Sequence, residues 1–142
     1  ITGTLGMGRQ GLKDFKKNIN SEFSKKFKKP EPQFIKSKHI SNLASSCIDI
    51  SDGLIKDLSS ICSMSNVGAN INFEDIPILK DIDDLTYGDD FELCFTISEE
   101  NAQCLNKYEY FCIGEIIEGD KIFLYKDNNL IELEKDGWDS FK

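Results

Sequence analysis

Histidine is nearly absent from this chain of 142 residues: His39 stands alone, flanked by Lys38 and Ile40 rather than by ligand-type side chains. A zinc site built on imidazoles is thereby excluded, and His39 reads as a solvated or locally hydrogen-bonded histidine. Paired cysteines are missing too. Cys47, Cys62, Cys94, Cys104 and Cys112 are odd in number and show no Cys-x-x-Cys spacing. Most sit among apolar residues, so reduced, buried thiols are expected rather than a disulfide framework. No apolar run approaches the roughly 18 residues of a membrane span, and the first residues have neither a signal-peptide core nor an initiator Met. A cytoplasmic protein with no membrane partner is expected, with neither internal repeats nor low-complexity tracts.

Positive charge is scarce beyond the first third. Residues 1–46 hold ten Lys/Arg against three Asp/Glu, whereas residues 47–142 hold seven against twenty-two, giving a net charge of −8 for the whole. The acidic part repels nucleic acid, so no nucleic-acid partner is expected unless the segment Lys13–Lys29 supplies it alone. That segment interleaves lysines with Phe15, Phe23 and Phe27 and reads as an amphipathic helix with a solvated lysine-rich face.

The length fits a single domain with its own core. The opening Ile1-Thr2-Gly3-Thr4-Leu5-Gly6 reads as the end of a strand entering a Gly-rich turn, and a fragment of a longer chain is expected. Gly6, Gly8 and Gly11 satisfy G-x-G-x-x-G, but the acidic partner strand of a dinucleotide fold is replaced by lysines and Pro30-Glu31-Pro32. A turn without nucleotide specificity is expected. After the proline break, Ser37–Ser46 reads as a short helix and Cys47–Ile50 as a strand. A helix follows, capped by Ser51 or Asp52, with Leu54, Ile55, Leu58, Ile61 and Cys62 at core spacing. Further strands are expected at Ala69–Phe73, Phe91–Ile97 and Tyr110–Ile117. Glu74–Gly88 reads as loop or short helix, and Ser98-Glu99-Glu100 as a helix cap. Ile122–Lys126 and Leu130–Glu134 should pair as a hairpin about Asp127-Asn128-Asn129. The order implies an α+β fold.

Two constellations carry chemistry. In Asp49-Ile50-Ser51-Asp52 an apolar strand runs into two carboxylates and a hydroxyl where a helix begins. Hard oxygen ligands suit Mg²⁺, commonly shared between one or two carboxylates and substrate phosphates, and a helix start offers N–H groups to anions. Capping accounts for one of these residues but not for an Asp ending an apolar strand. The second is Tyr87-Gly88-Asp89-Asp90-Phe91-Glu92, where two acids precede a strand and a third interrupts it. Gly-Asp-Asp also occurs in RNA polymerases, but this chain lacks the length and basic channel they require.

Together the motifs resemble the C-terminal half of the thiamine-monophosphate kinase family, within the aminoimidazole-ribotide-synthetase-like superfamily. The Thr-Gly-Thr-x-Gly turn is Thr2-Gly3-Thr4-Leu5-Gly6, followed by Gly11-Leu12. Ile-Asp-Ile/Leu-Ser-Asp-Gly-Leu is intact at Ile48–Leu54. Gly-Gly-Glu-Asp-Tyr-Glu-Leu-x-Phe-Thr stands at Tyr87–Thr96, with Tyr87, Asp89 and Phe91 replacing a Gly, the Glu and the Tyr. A closing Lys-x-Gly-aromatic-Asp-x-Phe is Lys135–Phe141.

The resemblance implies a three-layer α/β/α sandwich with a mixed, largely antiparallel sheet, formed by residues 1–142 as the C-terminal half of a longer kinase without its N-terminal nucleotide-binding domain. It implies Asp49 and Asp52 as Mg²⁺ ligands, Ser51 at ATP, and Asp89 and Trp138 at the substrate. The reaction implied is transfer of the ATP γ-phosphoryl to thiamine monophosphate, giving thiamine diphosphate, by a homodimer. No side-chain nucleophile is required, since such a transfer depends on positioning and charge neutralisation. An isolated half should be inactive. The rival readings are a superfamily enzyme with a different acceptor, such as an amide oxygen or selenide, and a non-catalytic acidic binding domain.

Overall fold

A Gly-rich turn leads directly into the first helix. The computed structural model, which describes residues 1–105, 109–132 and 137, places α1 at Met7–Lys16 and α2 at Glu22–Lys28. The lysine-rich stretch is therefore two short helices rather than one. Asn18, at φ 56°, turns the chain through the left-handed region. Ser21 then caps α2, its hydroxyl accepting from the Ser24 amide while its own amide donates to Ser24 Oγ. A Cβ at Gly11 would stand 2.6 Å from Phe27 Cβ, so glycine is what lets α2 fold back onto α1. Phe15 lies 6.1 Å from Phe27 between ring centroids and carries Lys28 Nζ 5.1 Å above its own ring. Lysine thus partly covers the aromatics while its charge stays in water.

Past the proline break, α3 spans Phe34–Ile40 and strand β1 spans Ala44–Asp49. The helix expected at Ser37–Ser46 thus ends at Ile40, whose side chain is buried, and residues 44–46 are strand. Serine competes with the helix backbone for hydrogen bonds, and here Ser45 and Ser46 hydroxyls meet Thr96 Oγ1 across the ladder at 2.7 and 2.6 Å. Helix α4, Leu54–Ser65, turns all five predicted core residues inward and ends at Asn66, which adopts the left-handed conformation.

Strand β2 is Gly68–Asn72, followed by short 3₁₀ turns at Phe73–Asp75 and Ile82–Leu85, which fit the loop or short helix expected there. Strand β3 is Leu93–Ile97 and α5 is Glu99–Ala102, capped by Ser98 as expected. Strands β4, β5 and β6 are Gly114–Ile117, Ile122–Lys126 and Asn129–Ile131. Two expected strands are shorter than their apolar pattern. Phe91 sits at φ 54° outside β3, and Tyr110 makes only a single bridge, to Thr2. Asp127 and Asn128, both at positive φ, form the tight hairpin turn between β5 and β6.

β1 pairs antiparallel with β3, Asp49 opposite Leu93, while the other sheet runs β4-β2-β5-β6 with only β2–β5 parallel. This is an α+β fold with mixed, largely antiparallel strands. Helix α4 packs on β1, β2 and β3, so its Leu54 and Leu58 share one core with Ile50, Ile71, Cys94 and Leu124. Of the five cysteines, all free thiols, only Cys62 and Cys94 are buried; Cys47, Cys104 and Cys112 are exposed. Local apolar neighbours did not decide burial, because Cys47 lies on the outward side of an alternating strand. His39 Nδ1 lies 3.4 Å from the hydroxyl of Tyr110, 71 residues away in sequence. Among the described residues no helix is long and apolar enough to cross a membrane.

Candidate active site

The end of β1 and the loop before β3 are joined along their backbones. Ile50 N donates to Glu92 O at 2.7 Å, Phe91 N to Ile50 O at 2.9 Å, and Asp89 N to Ser51 O at 3.0 Å. A Cβ on Gly88 would land on the Ser51 carbonyl oxygen, and one on Gly53 would stand 2.8 Å from the Thr86 carbonyl carbon. The two motifs singled out in the sequence are thus one structural unit. Asp89 at φ 65° and Phe91 at φ 54° both take the left-handed conformation, unusual for a bulky residue such as Phe. They bracket Asp90, whose buried side chain points into the protein while that of Asp89 is exposed.

Asp49 is exposed at the end of β1, while Ser51 and Asp52 are half-buried in the turn that follows. Asp52 Oδ2 receives an ion pair from Lys56 Nζ at 2.7 Å. Although Asp89 is exposed, partial desolvation by the surrounding loop, then the negative charge of Asp52, holds its carboxyl above the ordinary range. The geometry therefore brings Ser51, Asp52 and Asp89 together, with Asp49 on the same strand end. Trp138 lies outside the described residues, as does the rest of the Lys135–Phe141 motif except Gly137. That glycine is packed over the turn, for a Cβ on it would stand 2.7 Å from Asp52 O.

Neither Ser51 nor Asp52 caps α4, contrary to expectation. Gly53 occupies the cap position without a side-chain bond, and the amides of Ser51 and Asp52 instead donate to Asp57 Oδ2 at 2.9 and 3.0 Å. The helix reaches back to organise its own approach. Those two amides are thereby occupied by Asp57 rather than offered to a ligand. Burial raises the Asp57 carboxyl; the two amide bonds oppose this, and the charges of Asp52 and Asp49 add to it. The Gly-rich turn before α1 is likewise filled from within, since Gly6 N and Gly8 N each donate to the Asp90 carboxylate at 2.8 Å.

The donor chemistry suits a hard divalent cation: the charges of Asp52 and Asp49 reach the Asp57 carboxyl, and that of Asp52 reaches Asp89. Among the described residues no group of three His, Cys, Asp or Glu side chains is gathered to hold an ion alone. Mg²⁺ is commonly held by one or two carboxylates completed by phosphate and water.

The family model for AIR synthase related protein, C-terminal domain, matches residues 2–127. The chain belongs to this family. Other members of similar sequence bear the name thiamine-monophosphate kinase. That of Buchnera aphidicola subsp. Schizaphis graminum is 37% identical, aligning with 99% of this chain and 51% of its own length. That of Pyrococcus horikoshii is 31% identical over 100% of this chain and 49% of its own. A solved structure described as AaThiL complexed with AMPPCP and TMP superposes with a TM-score of 0.80 at 26% identity, covering 96% of this chain and 48% of that one. This AIR-synthase-related domain spans about half the length of the curated relatives it matches.

Two residues of the domain's site escaped sequence reasoning. Asp57 had a usable signal, an acid on the apolar face that Leu54, Leu58 and Ile61 define. Asp90 stood in the Gly-Asp-Asp run, but nothing there marked it as the buried acid of the two, because its partners are backbone amides. Buried beside Asp84 and only partly offset by the bonds from Gly8 and Gly6, the Asp90 carboxyl is pushed up from 3.8 to about 6. The folded protein therefore keeps this proton between about pH 4 and 6 while the unfolded chain has lost it. The associated stability is complete below the unfolded value and is lost as pH rises through 6. The rise corresponds to on the order of 3 kcal/mol. Urea midpoints from pH 4 to 7 should fall less steeply with pH in Asp90→Asn than in the parent; identical slopes would assign the group an ordinary pKa.

Proposed function

We propose that this domain is the C-terminal half of an ATP-dependent kinase that transfers the γ-phosphoryl group to thiamine monophosphate, giving thiamine diphosphate. The observation carrying this reading is the backbone junction that sets Ser51 and Asp52 beside Asp89. Asp49 and Asp52 would hold Mg²⁺, Ser51 would contact ATP, and Asp89 and Trp138 would engage the thiamine portion. Mg²⁺ bound there would neutralise phosphate charge. The protein's own part is to keep the carboxylates fixed: Asp57 holds the 51–52 turn by two amide bonds, and Asp90 ties the substrate loop to α1. A planar aromatic ligand is suited by an indole face together with a carboxylate. The relatives' shared name and the neighbour's bound AMPPCP and TMP support the substrate pair.

Because the domain spans about half of those relatives, residues 1–142 alone are expected to transfer no phosphoryl group. A full-length homodimer in the cytoplasm is the form proposed to be active. The decisive experiment incubates the full-length protein with ATP, Mg²⁺ and thiamine monophosphate and separates products by chromatography. Mg²⁺-dependent thiamine diphosphate is the expected result. A folded protein that makes none has a different acceptor, and the substrate assignment falls.

A further inference from the structure

We infer that Lys56 is a counter-cation built into the proposed metal site, where it makes divalent-ion binding depend on the phosphate that arrives with the ion. This rests on the kinase reading in taking Asp52 as a ligand. Lys56 lies one helical turn beyond Asp52, and its Nζ is 2.7 Å from Asp52 Oδ2, with both side chains about two-fifths exposed. The backbone at Gly137 crosses the pair: a Cβ there would stand 2.6 Å from Lys56 Cβ and 2.7 Å from Asp52 O. The lysine stem is thus confined at its base while its end remains on the carboxylate.

A Mg²⁺ ion sits about 2.1 Å from a carboxylate oxygen, so one bound at Asp52 Oδ2, 2.7 Å from Nζ, lies within roughly 5 Å of the ammonium, and one at Oδ1 within roughly 7 Å. The ammonium must then leave or repel the ion, and either course lowers affinity for the bare ion. An anionic ligand changes the balance. Phosphate oxygens shared with the ion give the released ammonium a new partner within reach of its four-carbon stem, and the penalty becomes an added contact. Bare ion and ion–nucleotide complex should therefore respond in opposite directions when the charge at position 56 is removed.

The test uses the full-length protein and Mn²⁺ as a spectroscopic stand-in for Mg²⁺. Electron paramagnetic resonance titrations are run with the parent, Lys56→Met, Lys56→Arg and Asp52→Asn, with and without a non-hydrolysable ATP analogue. Lys56→Met should bind bare Mn²⁺ about three- to tenfold more tightly and lose that gain, or reverse it, when the analogue is present; Lys56→Arg should resemble the parent. If Asp52→Asn weakens Mn²⁺ binding but Lys56→Met leaves both titrations unchanged, the role of Lys56 is overturned and the metal assignment stands. If Asp52→Asn leaves Mn²⁺ binding unchanged, Asp52 is not a ligand and the inference falls with that part of the kinase reading. Thermal melts of each variant verify that the compared proteins are folded.

Discussion

Asparagine in place of Asp49 is expected to reduce phosphoryl transfer by the full-length protein by roughly 10²- to 10⁴-fold, with little loss of stability. Asp49 is exposed at the end of β1, so an isosteric amide fits without repacking, and surface substitutions of this kind usually stay within about 0.5 kcal/mol. The amide keeps the shape and removes the charge. A metal ligand at a developing phosphate charge tolerates that change poorly, whereas one acid among many on a solvated surface tolerates it well. Steady-state rates at several Mg²⁺ concentrations, together with a thermal melt, separate the alternatives. Activity within about threefold of the parent, in a protein of unchanged melting temperature, would favour the non-catalytic acidic domain over the kinase.

Gly88→Ala should have the largest effect on folding. The added methyl would fall on the Ser51 carbonyl oxygen and stand 3.0 Å from the Ser51 carbonyl carbon and 3.2 Å from Asp52 Cα. All three obstacles are backbone or Cα atoms, so no flexible side chain can move aside. Relief requires the loop to lift away, and the Asp89–Ser51 and Phe91–Ile50 hydrogen bonds depart with it. A loss of about 3 kcal/mol or more is expected, lowering the melting temperature of a domain this size by on the order of 10 °C. Calorimetry or a urea titration reads the change directly. A variant as stable as the parent would mean that the two motifs do not meet as described.

Much of this arrangement was legible in the chain itself. The alternation that produces β1 and the 3.6-residue spacing that produces α4 are local properties, as is the Asp127-Asn128 turn. The displaced helix near Ser37–Ser46 was not legible, because those serines answer to Thr96, fifty residues away, rather than to their neighbours. The split between α1 and α2 hung on one left-handed asparagine and a serine cap, which the lysine and phenylalanine pattern conceals. In the proposed site, Asp49, Ser51 and Asp52 stand out because hydrophilic groups ending an apolar strand conflict with simple burial, whereas Asp89 is singled out by the family resemblance. Asp57 showed only as an acid on an apolar helix face, and the amides that Asp57 and Asp90 bind leave no mark in the order of side chains.

The clasp between Asp90 and the Gly6–Gly8 turn also governs how this domain comes into being. The bonded groups are 84 and 82 residues apart, and Thr2 meets Glu92 across 90. At ribosomal speeds of about 5–20 residues per second, the opening turn waits roughly 4–17 s for its partner to be synthesised. Closing so long a loop is slow even afterwards, since its entropy is lost before the bonds are gained. Nascent chains should therefore hold an exposed glycine turn until the acidic loop that fills it has been synthesised.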